Sequence, residues 1–124
     1  MTRPTGPFRR SDRLLASRDY RRVARYGVRA ASREFVMLVA PAASAPGRSP
    51  DASRRLGITA SRKVGRAVTR NRVKRRIREW FRDSREGFEV DVDVVVIARR
   101  AAADLGSAEL REMLEAMRQE IGRR

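Results

Sequence analysis

The sequence predicts a single mixed α/β domain, a small sheet with helices packed against it. Three stretches carry that expectation. In residues 61 to 82, SRKVGRAVTRNRVKRRIREWFR, the apolar side chains Val73, Ile77, Trp80 and Phe81 follow i, i+4, i+7, i+8. At about 100° per residue they fall within roughly a third of the helix circumference, one stripe to bury on an otherwise cationic helix. Residues 92 to 98, VDVVVIA, are short and dense in β-branched side chains, which predicts a central strand buried on both faces. Residues 107 to 122 carry Leu110, Met113, Leu114, Met117 and Ile121 at helical spacing, a core stripe on a last helix N-capped by Ser107. Glu109 and Glu112 in its early turns favour the helix dipole. A chain of 124 residues without internal repeats fits one domain.

The remaining elements follow in order. Residues 1 to 13, MTRPTGPFRRSDR, hold two prolines, a glycine and four arginines without apolar periodicity, and read as a flexible basic arm ahead of a domain spanning 14–124. They lack both the amphipathic pattern of a transit peptide and the apolar core of a secretory signal. Ser17 reads as an N-cap and Gly27 as the residue closing a short helix over 18–26, with Tyr20, Val23 and Ala24 on one face and Arg18, Arg21, Arg22 and Arg25 on the other. Residues 33 to 40, REFVMLVA, read as a mostly apolar strand stopped by Pro41. The segment 41–53, PAASAPGRSPDAS, has three prolines and small residues, and reads as a flexible loop. Residues 54 to 60 form the next strand, with Leu56 and Ile58 alternating against Arg55, Gly57 and Thr59. The residues alone therefore give helix, strand, strand, helix, strand, helix.

Charge narrows the function. The net charge is +15 and the isoelectric point near 11.7, which points to a polyanionic partner. Between Arg62 and Arg78 there are nine basic residues and no acid; Glu79 is the first. Helices that are merely solvated usually interleave Glu with Arg or Lys at i,i+4. A bare guanidinium face instead suits phosphate, whose oxygens accept bidentate hydrogen bonds, and the release of counterions supplies affinity. No apolar run approaches the roughly 20 residues that span a bilayer. The narrow apolar stripe of 61–82 is needed for its own core, which also argues against a helix lying on lipid.

Little points to chemistry by the polypeptide itself. There is no cysteine and no histidine, so disulfides, thiolate metal sites and the commonest general base are absent, and a reducing compartment fits. Glu89, Asp91 and Asp93 are the one carboxylate group suited to a metal nuclease, and they read as polar residues at the solvated end of a strand. The glycines fall in no phosphate-loop spacing.

The stretch RLGITASRKVGRAVTRNRVKRRIREWFR strongly resembles the signature of the bacterial ribonuclease P protein subunit. Its Arg-Asn-Arg triplet is Arg70, Asn71 and Arg72, preceded by Ser61, Arg62, Lys63 and Gly65 and followed by Val73, Lys74, Arg75, Ile77 and Arg78. RLLASRDYRRVARYGVRAASREFVMLVAP and VVVIARRAAADL resemble other parts of the family, so the likeness covers nearly the whole chain. The resemblance implies an α/β (α+β) two-layer sandwich of order αβββαβα, like a ribosomal-protein domain, with a left-handed βαβ crossover against the usual preference. It adds a strand that the residue reading lacks, with residues 28 to 32 as part of it.

The resemblance further implies a cytoplasmic protein cofactor, monomeric in a 1:1 complex with a catalytic RNA that removes the 5′ leader of precursor tRNA. Mg²⁺ is then held by the RNA and substrate phosphates, and this chain has neither a metal site nor a catalytic residue. Carried over position by position, Arg62, Lys63, Arg66, Arg70, Arg72, Lys74, Arg75 and Arg78 contact phosphates, leaving Asn71 to orient its neighbours or to hydrogen-bond backbone. A leader-binding cleft between the first helix and the sheet is expected from Tyr20, Phe35 and Met37, with the two aromatic rings available to stack on bases. Two positions often aromatic in the family are Ala24 and Leu38 here. Two other readings compete: a ribosomal or general RNA-binding protein, indifferent to precursor over mature tRNA, and a protein-only nuclease built on Glu89, Asp91 and Asp93.

Overall fold

The structure, a computed structural model, describes residues 17–42, 54–88 and 92–123. The expected arm over 1–13, residues 43–53 of the expected loop, and Glu89 and Asp91 lie outside them. The elements are α1 (Ser17–Tyr26), β1 (Val28–Ala31), β2 (Phe35–Pro41), β3 (Arg54–Ala60), α2 (Ala67–Ser84), β4 (Val92–Ala98) and α3 (Ser107–Gly122). Short 3₁₀ turns at Arg85–Gly87 and Arg100–Asp104 follow α2 and β4. This is the αβββαβα order that the resemblance implies.

The strand missing from the residue reading is β1. It has four residues and only Ala30 is buried, so no alternation marks it. Gly27 makes the turn from α1 into it. Its N–H donates to the Val23 carbonyl at 2.8 Å, and a Cβ there would stand 2.5 Å from that oxygen and 3.2 Å from the Val39 oxygen. Crowding by two carbonyls is what reserves the position for glycine. β2 begins two residues later than expected because the Ser32 hydroxyl accepts from the N–H groups of Glu34 and Phe35, holding a turn there. Pro41 closes β2 from within the ladder, opposite Val92. At a strand end its missing donor costs little.

The four strands lie in the order β1-β2-β4-β3. β1 and β2, and β2 and β4, pair antiparallel, while β3 and β4 pair parallel with α2 as the crossover between them. The two faces of the sheet bury different sets. Phe35, Met37, Leu56, Val94 and Val96 face α2 and α3, packing with Val73, Ile77, Trp80, Phe81, Leu110, Leu114 and Met117. Trp80, Phe81 and Phe88 form an aromatic group with ring centroids 5.8 to 6.3 Å apart. Val36, Leu38, Ala40 and Val95 face the other way, against Val23 of α1. β4 is thereby covered on both sides, as its composition predicts. Each large side chain fully buried in this way stabilises the fold by about 1.5 to 3 kcal/mol.

The α3 stripe is buried as expected, at Leu110, Leu114, Met117 and Ile121. Its cap is displaced by one residue. Gly106, not Ser107, is the N-cap, and the Glu109 carboxylate accepts from the Gly106 N–H at 3.2 Å.

Candidate nucleic-acid interface

The cationic surface begins in the turn between β3 and α2. Val64, 4% exposed, anchors that turn in the core. The Val64 and Gly65 N–H groups donate to the Ser61 and Arg62 carbonyls. Gly65 has φ +149°, a backbone state that side-chain-bearing residues rarely adopt. The turn leaves Arg62, Lys63 and Arg66 exposed at the start of α2. On the helix, Asn71 and Arg75 are exposed, and Arg70, Arg72, Lys74 and Arg78 are half-buried. Val73, Ile77, Trp80 and Phe81 are its buried residues, the stripe read from the sequence.

Among the described residues, none of the side chains of Arg62, Lys63, Arg66, Arg70, Arg72, Lys74 and Arg75 makes an ion pair. The Nε atoms of Arg70 and Arg72 are buried and lack a hydrogen-bond partner. The rest of each guanidinium has no ion-pair partner among the described residues, which leaves its Nη groups for phosphate oxygens. The N-cap residue Arg66 makes no side-chain cap, and the first turn of α2 has no acid. The positive end of the helix dipole therefore adds to the charge of the side chains.

The far half of the helix is different. Arg76 donates to the Leu105 carbonyl at 3.0 Å, so the one arginine of the run left out of the expected phosphate contacts joins α2 to the approach to α3. Asp83 pairs with Arg111 at 2.6 Å and with Arg82 at 3.6 Å. The Trp80 indole donates to Glu115 at 3.3 Å, and Glu115 also accepts from Arg118. Hydrogen bonds from Arg111 and Arg118 hold the Asp83 and Glu115 carboxyls below their ordinary range. Bare cations thus gather at the N-terminal half of α2, and charge-paired side chains at its C-terminal half.

The expected cleft residues do not come together. Tyr20 is half-buried on the α1 face, but Phe35 and Met37 are wholly buried on the opposite face, against α2 and α3. Successive strand side chains alternate faces, and the expectation took the wrong parity of β2. Tyr20 instead shares its face with Val36, Leu38, Val95 and Ile97. Register places Leu38 and Gly57 either side of Val95, and Val36 and Thr59 either side of Ile97. Thr59 is exposed and Ile97 half-exposed, so the open part of this face lies towards the carboxyl ends of β3 and β4. Burial pushes the Tyr20 hydroxyl above its ordinary range, opposed by a backbone hydrogen bond at Ile58. Of the two departures from the family, Ala24 is exposed and Leu38 is 6% exposed.

Asp93 is also not where the sequence reading put it. It is 0% exposed rather than solvated. Arg55 donates to both its oxygens at 3.0 Å, from Nε and Nη2, and Arg22 of α1 donates to it as well. Arg55 also reaches Asp19 of α1 at 3.2 Å, and Arg22 donates to the Pro41 carbonyl at 2.7 Å. These four charged residues clip α1 across β3 and β4. The available signal was a lone acid in the apolar run VDVVVIA, since a charge there needs a partner. Among the described residues no group of three acidic, histidine or cysteine side chains gathers to hold a metal ion, and no helix is long and apolar enough to cross a membrane.

Residues 8–122 match the family model described as ribonuclease P. The ribonuclease P protein component of Desulforapulum autotrophicum is 36% identical over 107 residues, covering 86% of this chain and 86% of that protein. That of Halalkalibacterium halodurans is 37% identical over 98 residues, 79% and 77% of the two chains. The solved RNase P protein of Staphylococcus aureus superposes with a TM-score of 0.72 at 31% identity, over 88% of this chain and 94% of that one. The Thermotoga maritima RNase P protein gives 0.70 at 28% identity, over 86% and 96%.

Proposed function

Since the chain belongs to the ribonuclease P protein family, which serves tRNA 5′ processing, we propose that it is the RNA-binding cofactor of a catalytic RNA. The observation that carries this is the N-terminal half of α2, whose cations make no ion pair among the described residues. Arg62, Lys63, Arg66, Arg70, Arg72, Lys74 and Arg75 contact phosphates of the catalytic RNA. Arg78 has an interaction within the protein and serves at the margin of this surface. Asn71, exposed between two arginines, hydrogen-bonds sugar or phosphate oxygens.

The 5′ leader of precursor tRNA lies on the α1 face, beside Tyr20, Ile97 and Thr59, with Leu38 and Val36 beneath. Contacts to an unpaired strand there are through phosphates and stacking, and tolerate sequence. The wholly buried carboxylate of the described residues, Asp93, is taken by Arg22 and Arg55. Mg²⁺ enters with the RNA. The role of the protein is electrostatic: a strongly cationic subunit lowers the repulsion between an RNA catalyst and its RNA substrate, and so the Mg²⁺ that the RNA requires. The complex is cytoplasmic and contains one protein per RNA.

The test is cleavage of a precursor tRNA by a bacterial ribonuclease P RNA at low Mg²⁺, with and without the protein, beside a protein-only lane. Cleavage is expected only where RNA and protein are both present. No stimulation and no binding to that RNA favours a general RNA-binding protein, and cleavage in the protein-only lane overturns the reading.

A further inference from the structure

The buried residues of α1 are Val23 and the charged Asp19, with Tyr20 and Arg22 half-buried beside them. At about 100° per residue, Asp19 and Val23 mark the middle of the stripe that meets the sheet. Tyr20 and Arg22 lie on its opposite margins, roughly 160° apart. Each margin reaches a different strand. Arg22 donates to the Pro41 carbonyl at the end of β2 and to Asp93 of β4. The Tyr20 hydroxyl is hydrogen-bonded to the backbone at Ile58 of β3. Between them, Asp19 accepts from Arg55 of β3 at 3.2 Å and stands 3.9 Å from Arg22. Apolar burial is non-directional, so Val23 by itself lets the helix roll about its axis. Hydrogen bonds are directional, and those of Asp19 and Arg22 fix that roll. Two aspartates and two arginines also cancel here, so the network has no surplus charge to offer a phosphate.

We propose that Asp19 and Arg22 are positioning residues for precursor tRNA: without touching RNA, they set the roll of α1 and so the angle at which the Tyr20 ring meets the leader. The proposal rests on the placement of the leader on the α1 face and deepens it. A roll of about 20° moves the outer end of a helix side chain by about 2 Å. A displacement of about 1 Å is already costly where groups must meet in register. Contact and position carry opposite signs at Asp19. On charge alone, Asp19→Asn takes an acid from a face that meets polyanions and raises a net charge already at +15, so it tightens binding of both precursor and mature tRNA. As a positioning change it loosens precursor tRNA and leaves mature tRNA alone.

Asp19→Asn, Arg22→Gln, Arg22→Lys and Tyr20→Ala are each reconstituted with a bacterial ribonuclease P RNA, and the complexes are titrated with precursor and mature tRNA over a range of NaCl. Asp19→Asn and Arg22→Gln are expected to weaken precursor binding about three- to tenfold, a part of the roughly 5- to 150-fold that a lost stacked base costs. Mature tRNA binding and the slope of log K against log salt stay unchanged, since no phosphate contact is lost. Arg22→Lys, which keeps the charge and a donor, recovers most of the loss. In a Tyr20→Ala background Asp19→Asn has no further effect, because it acts through that ring. Thermal melts check folding, and should Asp19→Asn not fold, the two Arg22 variants carry the test. Tighter binding of both tRNAs by Asp19→Asn, a flatter slope in Arg22→Gln, equal losses with both tRNAs, or additive losses in the double variant overturn the proposal. If Tyr20→Ala loses precursor affinity while the other variants keep it, this proposal alone falls; if Tyr20→Ala keeps it too, the leader placement falls as well.

Discussion

Asp93 holds two guanidinium groups on the α1 face of the sheet, and its loss leaves both without that counter-charge. Breaking a buried ion pair by removing one partner costs about 3 to 5 kcal/mol. Asp93→Ala is therefore expected to shift the urea midpoint sharply downward, followed by fluorescence of Trp80, the single tryptophan, which is 1% exposed. A change under about 1 kcal/mol, the usual worth of an exposed pair, would mean that the network is solvated. Tyr20→Ala tests the α1 face: if a leader base stacks there, the variant loses about 1 to 3 kcal/mol of binding to precursor tRNA and none to mature tRNA. Tyr20→Phe, which keeps the ring, should retain most of it. At this scale the sequence was read unevenly. The α2 arginines could be chosen because an acid-free run is visible in one dimension. Phe35 and Met37 were misplaced because FVMLVA is apolar on both parities, so alternation names no face.

Each long helix has a consequence of its own. Arg70→Ala with Arg72→Ala is expected to weaken binding to ribonuclease P RNA and to flatten its salt dependence by about 0.7 to 0.9 per phosphate lost. An unchanged slope would mean that these side chains serve the protein rather than the RNA. The α2–α3 contact carries a pH dependence. Asp83 and Glu115 are held below their ordinary range in the folded protein by Arg111 and Arg118, so the unfolded chain takes up protons at higher pH than the folded one. Their stabilisation is complete above about pH 5 and is lost as pH falls through the ordinary carboxylate range near 4 and below. Thermal melts between those limits should show the loss, and Arg111→Met should remove most of the part due to Asp83, leaving the smaller share held by Arg82. α2 and α3 were legible because a 3.6-residue period persists over several turns. β1 was not, because a four-residue edge strand with one buried side chain leaves no period to detect.

For the whole molecule, a net charge of +15 means that folding gathers like charges, and the N-terminal half of α2 is where they are least compensated. Raising NaCl from a few millimolar to about 0.15 M shortens the Debye length to about 8 Å and is expected to raise the melting temperature. A melting temperature that falls with salt would mean that the ion pairs outweigh the repulsion. The order of elements was legible through the family resemblance and most of it from the residues. The strand order was not, since pairing partners are set by packing between distant segments. That strand order has a consequence for biosynthesis. β4, translated after more than two thirds of the chain, lies between β2 and β3. Until it leaves the ribosome, β2 and β3 have no shared neighbour, and Phe35, Met37 and Leu56 have no β4 to pack beside. From the completion of β3 at Ala60 until β4 is complete at Ala98, the nascent protein must therefore carry β2 and β3 unjoined to each other, and this is the interval when chaperones and proteases have most to grip.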